Sequence, residues 1–207
     1  MAVIAIILFL ITFAVFATIT DEIVLEHEGG FDAAIFKAVS TIQSPAATSF
    51  FEIVTFFGSS AFLFPAYIIL ILILLIKKSW TLAIDVLVVG LTTTAILDIL
   101  KNTFRRVRPL DPLIKNVTGF SYPSGHSFSS YTFFGLIIFL IWQTKIQAAW
   151  KITATILLFI FATAIAFSRV YLRVHFPSDV IAGLCLSVVW LMISLWLLQK
   201  RKRHFAK

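Results

Sequence analysis

The 207-residue chain is 60% hydrophobic, and only 13% of its residues are charged. About a quarter of the residues of a soluble domain are charged, so this sequence has too few charges to cover a water-soluble core, and its solvent must be lipid. The formal net charge of +7 would suit nucleic acid, but no basic face interleaved with stacking aromatic residues is present. Basic residues of membrane proteins commonly face the cytoplasm and anionic headgroups instead. Composition therefore excludes a soluble domain and disfavours nucleic-acid binding.

Six apolar stretches reach the length of about 20 residues that a membrane-spanning helix needs. In chain order they are Ala2–Thr20, Ser49–Ile76, Trp80–Leu100, Ser127–Thr144, Ala148–Phe167 and Val180–Gln199. The first lacks the basic start of a signal peptide and is longer than its apolar region, so we expect it to be retained. Gly58–Ser60 and Pro65 interrupt the second, which we keep as one span because neighbouring helices can satisfy the freed backbone groups. The prediction is an all-α polytopic membrane protein with six transmembrane helices in a single domain, residues 1–207.

Six spans would place both termini on the same side of the membrane. Lys and Arg are nearly balanced between the two faces, but those on the outer face crowd into Lys101–Arg108 and Arg169–Arg173. Such crowding is typical of a binding site, whereas the cytoplasmic signal is Lys and Arg in short loops. The first outer loop is largely acidic, with Asp21, Glu22, Glu26, Glu28 and Asp32. We therefore predict a multi-pass protein of the cell membrane with both termini cytoplasmic.

Polar residues concentrate in three segments on the predicted outer face, and the first runs from Lys101 to Pro109. If the third span continues beyond the membrane, Lys101, Arg105 and Arg108 share one helix face, whereas Arg106 points elsewhere. Pro109 disfavours a helical conformation at Arg108, so we expect the helix to end there. Taken alone, the segment fits a basic collar at the membrane interface as well as it fits a site.

The second segment, Tyr122–Ser127, opens the fourth span. A helix N-terminus with a glycine and free backbone N–H groups favours anions, and His126 adds a donor that titrates near neutral pH. Taken alone, this segment fits a turn with a capping serine equally well.

The third segment, Ser168–Asp179, joins the last two spans. Pro177 suits the first position of a helix, which places Asp179 in the first turn, where the helix dipole favours a carboxylate. Asp179 can then reach back to the ring of His175, fix its tautomer and leave the other ring nitrogen free to attack or to accept a proton. Together the three segments bring cations, two histidines and a carboxylate to one membrane boundary. Such a set can hold a phosphoryl group and stabilise its charge during transfer.

The three segments resemble the three-part signature of the type 2 phosphatidic acid phosphatase superfamily. That signature has a Lys, six residues and Arg-Pro; then Pro-Ser-Gly-His; then Ser-Arg, five residues, His, three residues and Asp. The matching residues are Lys101, Arg108, Pro109, Pro123, Ser124, Gly125, His126, Ser168, Arg169, His175 and Asp179. Every position is filled, and the resemblance covers the second to the sixth span.

The resemblance implies a metal-independent phosphatase with its site at the extracytoplasmic ends of the helices. It implies that His175 is a nucleophile that forms a phosphohistidine, that Asp179 orients it, and that His126 protonates the leaving oxygen. The residues that would hold the phosphate are Lys101, Arg108, Ser124, Gly125 and Arg169. We expect no metal and no cofactor, because two histidines with other roles and few nearby acids make a poor zinc or magnesium site.

The implied function is hydrolysis of a lipid phosphate in a bacterial plasma membrane. Phosphatidylglycerophosphate and undecaprenyl pyrophosphate are expected before phosphatidic acid; membrane lipids are the expected surroundings, and no protein partner is expected. The short loops favour entry of the substrate from the lipid. Two alternatives stay open: a phosphotransferase with an alcohol acceptor and, disfavoured by the apolar spans, an anion or lipid transporter. No role is assigned to five other charged residues, Arg105, Arg106, Arg173, Asp85 and Asp98, although Asp98 can pair with Lys101.

Overall fold

The computed structural model describes residues 2–21, 29–115 and 117–205, whose regular structure is entirely helical. The helices are α1 (Ala2–Thr18), α2 (Gly30–Ser40), α3 (Pro45–Phe56), α4 (Ser60–Ile76), α5 (Trp80–Phe104), α6 (Gly125–Trp142), α7 (Ala148–Tyr171) and α8 (Pro177–Phe205). The predicted loop acids Glu22, Glu26 and Glu28 lie outside the described residues.

Five helical stretches of the described chain are long and apolar enough to cross a membrane. They are Pro45–Ile76, Trp80–Phe104, Gly125–Trp142, Ala148–Tyr171 and Pro177–Leu197. Their outer surfaces expose large apolar side chains, among them Phe64 and Ile76 at 69% and 81%, and an extended apolar surface of this kind marks contact with lipid or protein. The protein is therefore a multi-pass membrane protein. The first predicted span coincides with α1.

The second predicted span is broken near its middle, between α3 and α4. The Ser59 side chain caps α4 by accepting a hydrogen bond from the Phe62 N–H at 3.3 Å. The break depends on Gly58, because a Cβ atom there would lie 2.4 Å from Ile165 Cγ2 and 2.9 Å from His126 Cδ2. The glycine therefore lets the break pack directly against α6 and α7.

The central element of the bundle is α6, the most buried of the five candidate spans, which packs against α4, α5, α7 and α8. It approaches α8 closely at Gly183, where a Cβ atom would lie 2.8 Å from Ser127 Cβ and 2.9 Å from the Ser124 carbonyl oxygen. This contact brings the N-termini of α6 and α8 together. The ends of α5 and α7 meet them at the same end of the bundle.

The short helix α2 covers this end of the bundle and packs against α7 and α8. Its Val39 is buried with Val170, Tyr171 and Val174, which follow one another at the end of α7 and in the next turn. The turn that leads into α8 is therefore fixed from outside by α2.

Candidate active site

The first polar segment leaves α5 earlier than the sequence indicates. The helix ends at Phe104, and Arg105 takes the left-handed conformation with φ 48° and ψ 31°, so the prediction of a helix to Arg108 is wrong. Since the chain turns at Arg105, that side chain is exposed, and Arg106 enters the protein instead. Lys101 stays in the last helical turn, where its Nζ donates to the Phe120 carbonyl oxygen at 2.5 Å.

Arg108 is anchored by main-chain carbonyl groups beside an imidazole. Its Nε and Nη2 donate to the carbonyl oxygens of Gly119 and Thr118 at 2.9 and 3.0 Å. Its Nη1 donates to the Val174 oxygen at 2.7 Å and lies 3.2 Å from His175 Nε2. Burial lowers the pKa of Arg108. The ordinary value for arginine is above about 12, and the guanidinium remains a cation.

His175 lies in the turn between α7 and α8 and is 2% exposed. Its Nδ1 lies 3.5 Å from Asp179 Oδ2 and 3.4 Å from Ser121 Oγ, while Nε2 faces Arg108. Burial lowers the pKa of His175 to about 3, although the Asp179 carboxylate acts to raise it. The ring is therefore neutral near neutral pH. With the proton on Nδ1, as its carboxylate neighbour favours, Nε2 keeps a lone pair.

Asp179 is fully buried in the first turn of α8, which begins at Pro177 as the sequence predicts. Its Oδ2 accepts from the Phe176 N–H at 2.8 Å and from the Ser121 hydroxyl. Its Oδ1 accepts from Arg106 Nη1 at 2.6 Å. Both oxygens are thus held in place, one of them on the side of His175.

Arg169 reaches the same region from the last turn of α7 and is 5% exposed. Its Nη1 donates to Thr55 Oγ1 at 2.7 Å. Its buried Nε has no hydrogen-bond partner among the residues that the structure describes. A buried unsatisfied N–H is costly, and an anion bound here would satisfy it.

The second polar segment forms the start of α6. Ser124 is the N-cap, with its Oγ 3.4 Å from the Ser127 nitrogen, and its own N–H donates to the Asp179 carbonyl oxygen at 3.0 Å. Gly125 is the first helical residue. His126 follows Gly125. It lies close enough to Lys101, Arg108, Arg169 and His175 to interact with them electrostatically.

An apolar cavity of about 430 Å³ runs between α4 and α5. It follows α4 from Ser60 to Ile71 and α5 from Leu97 to Leu87, and its lining includes His126. At the end nearest the polar segments the lining consists of Leu97, Gly125 and His126. Among the predicted site residues, the cavity thus reaches Gly125 and His126.

The structure brings together all the predicted site residues, and it adds four that the motifs do not contain: Arg106, Asp32, Ser121 and Thr55. Arg106 and Ser121 are close in sequence to motif residues, which was an available signal. Asp32 and Thr55 come from α2 and α3, and no spacing rule connects them with the motifs.

The other charged residues have different surroundings. Asp98 accepts from Asn102 Nδ2 at 3.2 Å, and Lys101 turns to Phe120, so the expected pair of Asp98 with Lys101 does not form. Arg173 lies over the ring of Phe36 at 5.6 Å. Asp85 is buried near the start of α5, at the far end of that helix from Lys101. Within the described ranges, no group of three or more His, Cys, Asp or Glu side chains is placed to hold a metal ion.

A buried histidine–aspartate pair with Arg108 and Arg169 beside it thus lies at one end of a bundle of membrane helices. The PAP2 superfamily model matches residues 80–203, and the chain belongs to this superfamily. Phosphatidylglycerophosphatase B of Bacillus subtilis (strain 168) is 31% identical over 178 residues, which cover 85% of this chain and 87% of the relative.

Two further comparisons extend this result. The crystal structure of a PAP2-type phosphatidylglycerolphosphate phosphatase from Bacillus subtilis matches with a TM-score of 0.79 and 28% identity, over 95% of this chain and 96% of that one. An undecaprenyl-diphosphatase of Sulfolobus acidocaldarius is 27% identical over 76% of this chain and 74% of its own length. The predicted family and the prediction of a membrane lipid phosphatase are confirmed.

Proposed function

We propose that this protein hydrolyses phosphatidylglycerophosphate at the outer leaflet of the membrane through a phosphohistidine on His175, without a metal ion. The observation that carries the proposal is the cavity between α4 and α5, because it places an apolar slot against His126. The similarity in sequence to phosphatidylglycerophosphatase B of Bacillus subtilis, and in structure to a phosphatidylglycerolphosphate phosphatase from Bacillus subtilis, supports this headgroup. Undecaprenyl pyrophosphate is the second candidate, on the similarity to an undecaprenyl-diphosphatase.

In the first step, His175 Nε2 attacks phosphorus and the bond from phosphorus to the lipid oxygen breaks. Its electron pair goes to that oxygen, which takes a proton from protonated His126. Asp179 stabilises the positive charge that develops on the His175 ring. Lys101, Arg108 and Arg169 balance the charge on the phosphoryl oxygens.

In the second step, water attacks the phosphohistidine, and the phosphorus–nitrogen bond breaks. His126, now neutral, takes a proton from the water, and His175 returns to its neutral form as inorganic phosphate leaves. Because Arg108 Nη1 lies 3.2 Å from Nε2 in the free enzyme, the entering phosphoryl group must draw this donor onto its own oxygen. Arg108 then donates a hydrogen bond to the phosphoryl group at the place where the bond between His175 Nε2 and phosphorus forms.

The arrangement of α1 supports a location of both termini on the opposite side of the membrane from the site, and we propose that the termini are cytoplasmic and the site is outside. Thr20, just beyond α1, is hydrogen-bonded to the hydroxyl of Tyr122 at 2.6 Å, so the end of α1 lies beside the site. The start of α1 and the end of α8 then lie at the opposite end of the bundle. With α1 as a sixth crossing, the protein forms one transmembrane domain that acts without a protein partner.

The substrate is tested by phosphate release from purified enzyme in chelator, with phosphatidylglycerophosphate, undecaprenyl pyrophosphate, phosphatidic acid and the soluble p-nitrophenyl phosphate. Thr94→Trp fills the cavity, and Val88→Trp is the control because Val88 is exposed on α5 outside it. We expect Thr94→Trp to raise KM for the lipid and to leave p-nitrophenyl phosphate unaffected. Equal changes of KM for the lipid and for p-nitrophenyl phosphate in Thr94→Trp would contradict binding of the lipid in the cavity. Loss of phosphate from the lipid only when an alcohol is added would indicate a phosphotransferase.

A further inference from the structure

Arg106 makes three side-chain hydrogen bonds in the region of Asp179, although it belongs to none of the motifs. Its Nη1 donates to Asp179 Oδ1 at 2.6 Å and to Ser178 Oγ at 2.8 Å, and its Nη2 donates to Asp32 Oδ2 at 2.8 Å. The ring of Phe176 covers its face at 4.0 Å. The guanidinium is thus committed to Asp179, Ser178 and Asp32, whereas Arg108 lies beside Nε2 of His175.

Asp32 fixes this guanidinium from the opposite side. It lies in the first turn of α2 and is 2% exposed. Its Oδ1 accepts from the Ser178 N–H at 2.9 Å, and its Oδ2 accepts from Ser178 Oγ at 2.7 Å as well as from Arg106. One carboxylate of α2 therefore binds both the N-terminus of α8 and the arginine that holds Asp179.

We propose that Arg106 and Asp32 are a positioning pair that aims Asp179 at the Nδ1 atom of His175. The inference rests on the proposed function, in which His175 is the nucleophile. The Phe176 N–H and Ser121 hold Oδ2 of Asp179 on the side of His175, and Arg106 holds Oδ1 on the other side. Without it, a buried carboxylate would lose a charged hydrogen bond and would rotate to recover one, and the tautomer of His175 would no longer be fixed.

A fork-shaped donor suits this role because two carboxylates and a hydroxyl lie in different directions around it. Lysine carries the same charge but presents it at a single point without a planar fork. Arg106→Lys should therefore keep Asp179 ionised yet hold it less firmly. Arg106→Gln loses the charge and most of the donors.

The experiment compares Arg106→Gln, Arg106→Lys and Asp32→Asn with the control Arg105→Gln, in which an exposed neighbour is replaced. The readouts are kcat and KM for phosphatidylglycerophosphate and the ring ¹⁵N signals of His175 in detergent micelles. Misplacing a catalytic group by a small distance costs up to about 100-fold. We expect a fall in kcat of about that size for Arg106→Gln, a smaller change in KM, and a mixture of His175 tautomers. Arg106→Lys should keep part of the kcat and part of the single His175 tautomer. Asp32→Asn should also lower kcat and mix the tautomers, and Arg105→Gln should leave kcat and the His175 signals unchanged.

Folded Arg106→Gln protein with a kcat within about threefold of the unsubstituted enzyme would overturn the proposal. A fall in kcat with unchanged His175 signals would also overturn the proposal, because it would mean that Arg106 only connects α2 to α8. If Arg106→Gln does not purify as a folded protein, Asp32→Asn, which keeps the size of the side chain, decides by the same two readouts. The proposed function fails on a different result, activity in His175→Ala, and the tautomer signals remain interpretable in that case.

Discussion

The two histidines of the site have surroundings suited to different tasks. His175 lies between a carboxylate at Nδ1 and an arginine at Nε2, in a buried turn. His126 opens a helix and lines the apolar cavity, where the leaving group of a lipid would lie. A nucleophile needs a free lone pair directed at phosphorus, and a general acid needs to reach the leaving oxygen. The positions of the two rings meet these needs separately.

Replacing His126 with alanine should therefore affect substrates according to their leaving groups. For a lipid phosphate the leaving alkoxide needs a proton, and the loss of a general acid lowers the rate by about 10²–10⁴-fold. The nitrophenolate of p-nitrophenyl phosphate leaves without such help, so its first step should slow far less. Steady-state and single-turnover rates on both substrates test this. Equal losses in the first step would mean that His126 is not the acid.

The low pKa of His175 predicts that its ring stays neutral in acid. Burial outweighs Asp179 and is aided by the charges of Arg169 and Arg108, and the pKa falls to about 3 from an ordinary value of 6.5. Between these two values the unfolded chain binds a proton that the folded protein does not, so the free energy of unfolding should decrease as the pH falls through this window. Ring ¹⁵N shifts at about pH 5, assigned with His175→Gln, should show a neutral imidazole. An imidazolium pattern at that pH would contradict the assigned surroundings.

At the scale of the secondary-structure elements, the breaks between helices determine the directions of the side chains in the site. The α3–α4 break sets Gly58 against His126, and the αL turn at Arg105 sends Arg106 inward. A second αL residue, Arg173 with φ 54°, follows α7 and begins the turn that carries His175. Each break determines where a side chain of the site points.

The break at Gly58 yields a direct prediction. In Gly58→Ala the new methyl group must displace Ile165 and the ring of His126, and overpacking of this kind costs about 1–3 kcal/mol. Activity on lipid phosphates should fall more than on p-nitrophenyl phosphate, because the displaced group is the proposed acid. Ser60→Ala is the control, because Ser60 lies two residues from Gly58 and lines the same cavity. Unchanged lipid activity in folded Gly58→Ala protein would show that the contact is not important for His126.

The sequence predicts the elements better than it predicts their ends. Five spans, the start of α8 at Pro177 and the reach of Asp179 to His175 follow from local rules of length, proline position and helical spacing. The end of α5 does not, because a left-handed turn is usually signalled by Gly or Asn and here falls on Arg105. Arg106 then finds Asp32, which is far away in the sequence and invisible to periodicity. Local rules therefore find the motif and miss the residues that support it.

At the scale of the whole molecule, the fold gathers its charged site at one end of a bundle of apolar helices. α5 and α7 end, and α6 and α8 begin, at one end of the bundle, so their termini supply the cations and the imidazoles. The outer faces of α5, α7 and α8 carry exposed apolar side chains. Lys101, Arg108 and Arg169 bring three positive charges to one buried place, and a phosphoryl group would neutralise them.

The central claim is that these distant segments form one phosphoryl-transfer site with His175 as its nucleophile. The direct measurement is rapid quenching of the purified enzyme with phosphatidylglycerophosphate that carries a radiolabelled terminal phosphate, in chelator, followed by peptide mapping. We predict an acid-labile, base-stable label on the peptide that contains His175, formed without a divalent metal and absent from His175→Ala. Label on another residue, or continued phosphate release by His175→Ala, would contradict the account.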